Sequence, residues 1–270
     1  MKKKFFFTPG FLLVIIYSYS QEKENYFTVS AGPSFPFGNY ASKNLKNSKS
    51  GFANTGQQVN ISYTYKLTKK VGLTASLYAQ RNPVDGKALA RQFSEQDFAV
   101  PISFGNSTNT GAPQPFTPVY YSNWRFDKHA WLAASFLAGA AVELPFNKNE
   151  NLSFIANAMI GITAVKSPEL QGTSTTDTTN ASVHQNSASA FGVAWLVRGG
   201  VKYKITKKIS LVVAVDYNAT NNMVFKNIKS VVTTYQYNNG LPSSSRLTTT
   251  GYARQILQSI NLNAGIAFRL

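Results

Sequence analysis

The stretch FGVAWLVRGGVKYKITKKISLVVAVDYN, residues 191 to 218, decides the fold. Phe191, Val193, Trp195, Val197, Val201, Tyr203 and Ile205 alternate with Gly192, Ala194, Leu196, Arg198, Gly200, Lys202 and Lys204. After Thr206-Lys207-Lys208 the same pattern resumes, with Ile209, Leu211, Val213, Val215 and Tyr217 set against Ser210, Val212, Ala214, Asp216 and Asn218. A period of two means extended strands, each with one oily face and one small or polar face. If Thr206, Lys207 and Lys208 form the turn, Ile205 faces Ile209, and that register sets Arg198 opposite Asp216. Seven residues above the turn, at about 3.3 Å each, the pair stands roughly 23 Å up the hairpin, both side chains on the polar face.

The pattern recurs along the chain. It predicts strands around Phe27 to Ala31, Gln58 to Leu67, Val71 to Gln80, Trp131 to Leu144, Leu152 to Thr163 and Ile256 to Leu270, eight with the pair above. In the first, Pro33 removes a ladder donor and cuts or bulges the strand. Residues 131 to 144 are apolar on both sides, and parity makes them a strand: Leu132, Phe136, Val142 and Leu144 against Ser135, Gly139 and Glu143. The connections alternate. Thr68-Lys69-Lys70, Pro145 to Asn151 and Thr206-Lys207-Lys208 are tight, whereas 38 to 54, 82 to 130, 166 to 188 and 220 to 253 are long. Short turns at one end and long loops at the other, around an even number of strands, describe a membrane barrel. The predicted fold is all-β, a single eight-stranded antiparallel transmembrane up-and-down barrel with short periplasmic turns and long extracellular loops.

Composition agrees. Charged residues make up only 14%, against about 25% in an average soluble domain, while aromatics reach 13%. Trp131 to Val142 is too short to cross a bilayer as a helix, which needs roughly 20 apolar residues, so a membrane-embedded chain of this sequence spans with strands. Lys2, Lys3 and Lys4, the apolar run Phe5 to Tyr17 and the small residues of Ser18-Tyr19-Ser20 have the order of an export signal. The expected organisation is a signal peptide over 1–20 and the barrel over 21–270. With 27 basic against 11 acidic residues the chain is strongly cationic; export excludes nucleic acid as the partner and leaves anionic membrane surfaces.

At this point the chain resembles the small outer-membrane β-barrel proteins of Gram-negative bacteria, the OmpA/OmpX type and the outer membrane protein beta-barrel domain family. The resemblance is carried by the export signal, the two Lys-Lys turns, Ala31-Gly32-Pro33 and the closing Leu262-Asn263-Ala264-Gly265-Ile266-Ala267-Phe268. It departs at the last residue: the family ends on an aromatic, and here Leu270 is last, with Phe268 two before it. The resemblance implies the outer membrane as location and says little about activity.

Alternation points Lys66, Glu143, Arg198, Lys202, Lys204, Asp216 and Arg269 into the lumen. An eight-stranded barrel has room inside only for its own side chains, so these charges read as a salt-bridged, hydrated plug or, alternatively, as a gate or ligand site. Tyr63, Tyr65, Phe146, Tyr203 and Phe268 near the lower ends, and Phe35, Trp131, Phe191 and Tyr217 near the upper ends, are expected to form aromatic girdles facing lipid. Phe93, Phe98, Phe104, Phe116, Tyr120, Tyr121, Trp124 and Phe126 in loop 82–130 suggest a small packed cap. Residues 171 to 189, rich in Thr, Ser, Asn and Gln, and 235 to 250, which run through Asn238-Asn239-Gly240 and Ser243-Ser244-Ser245, are expected to bury little and to be mobile, whereas 228 to 237 and 246 to 256 read as a hairpin continuing the last two strands. Lys43, Lys46, Lys49, Lys226, Lys229, Arg246 and Arg254 are expected to meet lipopolysaccharide head groups.

Catalysis has little material. Cysteine is absent, the two histidines, His129 and His184, fall outside the strands, and Asp127 and Ser122 near His129 point in alternate directions on an extended chain. No catalytic residue, cofactor or metal site is expected. The readings that remain are a non-enzymatic barrel binding or supporting the envelope through its loops, a barrel subunit of a secretion or uptake assembly with loop 82–130 as its contact to other envelope proteins, and a small channel or rim-active enzyme.

Overall fold

A computed structural model describes residues 25–95, 123–146, 151–175, 179–238 and 241–270; the segment expected to be an export signal, most of the aromatics of loop 82–130 and Asn147 to Glu150 fall outside them. Eight strands close a barrel: β1 (Tyr26–Pro36), β2 (Gly56–Lys66), β3 (Val71–Pro83), β5 (Ala130–Pro145), β6 (Leu152–Lys166), β9 (Ser189–Lys204), β10 (Ile209–Thr220) and β13 (Gln258–Arg269). Each pairs antiparallel with its neighbours in chain order, and β1 closes on β13.

Two of the lower turns are the same turn. In one, Leu67 N–H and Thr68 N–H both donate to Val71 O while the Thr68 hydroxyl accepts from Lys70 and Val71 N–H; in the other, Ile205 and Thr206 donate to Ile209 O and the Thr206 hydroxyl accepts from Lys208 and Ile209. The threonine fixes register on both sides, and the hairpin pairs as expected, Ser210 with Lys204 through Asp216 with Arg198 to Thr220 with Ala194.

Pro33 neither cuts nor ends β1. The strand stays paired to β2 at Gly32 and Pro33, while the ladder to β13 skips those two residues between Ala31↔Ala264 and Ser34↔Asn261. The chains approach so closely there that a Cβ on Gly32 would stand 1.8 Å from Leu262 O, which makes the glycine obligatory.

The outward face is apolar from Tyr65 and Val71 up to Val59 and Ala79, the belt of a barrel that spans a bilayer. Above it stands a second sheet, built from β4 (Arg125–Phe126), β7 (Leu170–Thr175), β8 (Thr179–Gln185), β11 (Met223–Asn238) and β12 (Leu241–Gln255) in the spatial order β12-β11-β8-β7-β4. The expected hairpin is therefore present as β11 and β12. The expectation of mobility is overturned for 171 to 189, most of which is β7 and β8, and for the described part of 235 to 250, which pairs as the end of β11 and the start of β12. Thr and Ser suit an exposed pleated face, and Leu170, Gly172 and Ser174, with Ala181, Val183 and Gln185, supply the buried one.

Candidate functional site

Three levels of polar side chains fill the lumen. At the bottom Glu143, on β5, receives Lys66 from β2 at 2.6 Å and Lys202 from β9, and Lys202 also lies 4.4 Å from the centre of the Tyr26 ring. In the middle Arg198 forks onto Asp216, Nε to Oδ1 and Nη2 to Oδ2 both at 2.7 Å, with the two side chains 2% and 0% exposed. Such bidentate geometry is what a guanidinium offers a carboxylate, and burial requires it, since an unpaired charge there is costly. Beside this pair Tyr78, Leu137, Met159, Ala194 and Leu196 form an apolar cluster that narrows the interior further. Near the top Gln80 accepts from Tyr78 and Ser259 and donates to Asn82, which reaches Ser34 and Asn54 O. Lys204 and Arg269, placed in the same interior set by alternation, are half-buried at the lower rim rather than inside.

Of the aromatics expected in the girdles, Phe35, Tyr63, Tyr65, Phe146, Phe191, Tyr203, Tyr217 and Phe268 are all exposed. Trp131 is the exception. It shares parity with Ser135, so it faces inward, donates Nε1 to Gly51 O at 2.8 Å and packs edge-on against Tyr40 and Phe225. Its place at the upper end of β5 suggested a girdle; alternation from Leu132 and Phe136 assigns the opposite face. Trp195, on β9, is exposed.

Trp131 belongs to the lower of two apolar clusters that join barrel and external sheet, with Tyr40, Met223, Phe225, Ile228 and Leu257. The upper cluster packs helix α1 (Gly86–Ser94), through Leu89 and Phe93, against Phe52, Trp124, Leu170, Ala181 and Val183, with Phe93 and Phe126 rings 4.8 Å apart. The packed cap read from the aromatics therefore exists for Phe93, Trp124 and Phe126; Phe98, Phe104, Phe116, Tyr120 and Tyr121 lie outside the described residues. Asp85 starts α1 by accepting from Ala88 N–H at 3.0 Å and pairs with Lys43 at 3.4 Å. Partial burial works against its ionisation, but the Ala88 N–H and the Lys43 ammonium outweigh it and hold the carboxyl below the usual range.

The loop cations divide. Lys43 turns inward onto Asp85 and the carbonyls of Phe52 and Ala53, and burial pushes its pKa down; it does not face outward as expected. Lys46, Lys49, Lys226, Lys229, Arg246 and Arg254 are exposed, and β11 and β12 contain no acidic residue. Asn227, in left-handed backbone at φ 59°, forms a bulge that places Lys226 and Lys229 outward while Phe225 and Ile228 stay buried. Glu169, unremarked in the sequence, accepts from His184 at 2.8 Å and Gln171 at 2.7 Å, and these hydrogen bonds hold its carboxyl below the usual range. The signal for it was only the shared end of one strand pair. Among the described residues, no group of His, Asp and Glu is arranged to hold a metal ion.

No family model and no curated protein matches the chain. Solved structures similar to it include Neisserial surface protein A, at 11% identity, 91% of this chain and 97% of that one, with a TM-score of 0.42. The attachment invasion locus protein Ail of Yersinia pestis, solved with the heparin analogue sucrose octasulfate, is 12% identical over 92% of this chain and 100% of its own, at 0.39. A major outer membrane protein of Thermus thermophilus is 14% identical over 91% and 99%, at 0.38.

Proposed function

We propose that this chain is an exported, non-enzymatic outer-membrane barrel of a Gram-negative bacterium that acts through its external face, where a cationic sheet contacts anionic saccharide of the cell surface. The observation that carries the reading is the opposition of the two ends. The lumen is filled by buried side chains whose charged members, Lys66, Glu143, Arg198, Lys202 and Asp216, are paired, so little is left for transport, while three separate external loops are woven into one ordered sheet. Order of that kind costs conformational entropy and suits a surface that is used.

The partner is the lipopolysaccharide head-group region, met by Lys46, Lys49, Lys226, Lys229, Arg246 and Arg254. Replacing all six by Gln should weaken capture of the detergent-solubilised protein on the immobilised phosphorylated saccharide of lipopolysaccharide, freed of its acylated anchor, and flatten its salt dependence. Unchanged capture overturns the reading, and single-channel conductance steps in planar bilayers would overturn the closed lumen.

A second reading, a barrel subunit of a secretion or uptake assembly, is favoured by one feature. Among the described residues the outer edge of β12 has no strand beside it, and an open edge is a template for a partner strand. Native-size complexes from solubilised envelopes separate the two.

A further inference from the structure

The belt of the barrel is interrupted on one side. Five outward residues pair in a lateral row across β2, β3, β5, β6 and β9: Val59, Ala79, Ala134, Ala164 and Phe191. One row below, at the same strands, stand Leu77, Phe136 and Ile162. Three adjacent alanines above three bulky side chains leave a trough of about 500 Å3 on the outer wall, with the 83% exposed Phe191 as its side. That volume falls within the range of ligand-sized clefts, roughly 300 to 1,000 Å3.

The row above carries charge. Arg81 and Lys166 flank Leu132 at the head of the trough, two strands apart and so about 10 Å from backbone to backbone. They are the first outward charges met on ascending β3 and β6, and none of the ion pairs among the described residues uses either. A cleft with an apolar floor and two cations at its water-facing end has the polarity of an anionic amphiphile.

We propose that this trough is a fixed lipid site: an acyl chain of a phosphorylated glycolipid lies along Ala79, Ala134 and Ala164, and its phosphates rest on Arg81 and Lys166. Charge selects this occupant over a second barrel, because a two-fold contact through the same face would bring the cations of both copies together. The proposal rests on the outer-membrane reading above but uses none of the six cations named there.

The test is native mass spectrometry of the full chain released from a neutral detergent, with a synthetic acylated, diphosphorylated glucosamine disaccharide that lacks outer sugars. One adduct per barrel is expected, and its dephosphorylated counterpart should bind far less. The double variant Arg81→Gln/Lys166→Gln should lower adduct formation roughly 30-fold, the ratio that corresponds to about 1 kcal/mol for each cation near an anionic lipid surface. Ala134→Phe, which fills the trough without touching the cations, should abolish the adduct while heat-modifiable gel mobility shows the barrel intact. Neutralising the six loop cations should leave the adduct unchanged, which separates failure of this site from failure of the surface reading. Equal binding of the dephosphorylated lipid, persistence of the adduct in both trough variants, or a wild-type dimer that Ala134→Phe dissociates would overturn the proposal.

Discussion

The barrel and the sheet above it are written in the same period of two, with opposite meanings. In the barrel the residues turned inward are polar, such as Gln58, Asn60, Asp216 and Asn261, and those turned outward are Leu73, Val197 and Leu262. In the external sheet the inward residues are Leu170, Val183, Phe225 and Ile228, and the outward ones Thr173, His184, Lys226 and Lys229. The solvent on the outside differs, lipid below and water above, so the side that has to be hidden changes over. The chain makes the change in few residues. Thr220 N–H donates to Leu257 O, the Thr220 hydroxyl accepts from Leu257 N–H, and beyond that clasp the buried parity passes from Asp216, Asn218 and Thr220 to Met223 and Phe225.

The two regions should therefore fail differently. The largest effect is expected in the lumen. Asp216→Ala leaves Arg198 without its partner and should lower stability in detergent by about 3 to 5 kcal/mol, less whatever water recovers. Glu169→Ala breaks a pair with His184 that solvent screens, and should move the denaturant midpoint far less. Equal midpoints for the two variants, or a double-mutant cycle without coupling between Arg198 and Asp216, would break the contrast. Next comes the external cluster. Phe93→Ala removes a buried ring and should cost about 3 kcal/mol, but locally: protease sensitivity around α1 should rise while heat-modifiable mobility stays. Loss of both would mean that cap and barrel unfold as one unit.

A third, smaller effect sharpens the boundary between them. Trp131→Phe keeps the apolar ring and removes the donor to Gly51 O, and should cost about 1 kcal/mol, read as faster hydrogen exchange at Gly51 and its neighbours with the lumen unaffected. The smallest is a pH response. Because the Asp85 carboxyl is held below its ordinary 3.8, it adds stability above that value and loses it as pH falls through the lower folded one. Acidification should loosen α1 by less than about 1 kcal/mol at this partly exposed site. Asp85→Asn, which keeps an N-cap acceptor, should remove that response.

The barrel was legible because lipid tolerates so little polarity that alternation survives in almost every strand, and because a threonine turn of fixed length sets a whole ladder. Arg198 and Asp216 could be paired from numbering alone. Trp131 was misplaced where position along the strand was weighed above parity. Lys43 was misplaced because nothing local to it announces Asp85, which arrives from another loop. The strands β7 and β8 were hidden by composition: Thr, Ser and Asn read as mobile unless their small inward residues are matched to a partner, and that partner, α1 with Phe93, lies elsewhere in the chain. The outer-wall trough is invisible in any single strand, since Ala79, Ala134 and Ala164 become neighbours only through register.

The external sheet takes its strands from three loops, β4 from one, β7 and β8 from another, β11 and β12 from a third. None of those segments can bury its own inner face. A graft of one loop onto a different barrel would thus carry exposed Phe225 and Ile228, or Leu170 and Val183, without their cover, and the recipient would gain an aggregation site. Diversification of this surface has to proceed by matched replacement of all three insertions, so that sequence drift in one is tied to drift in the others.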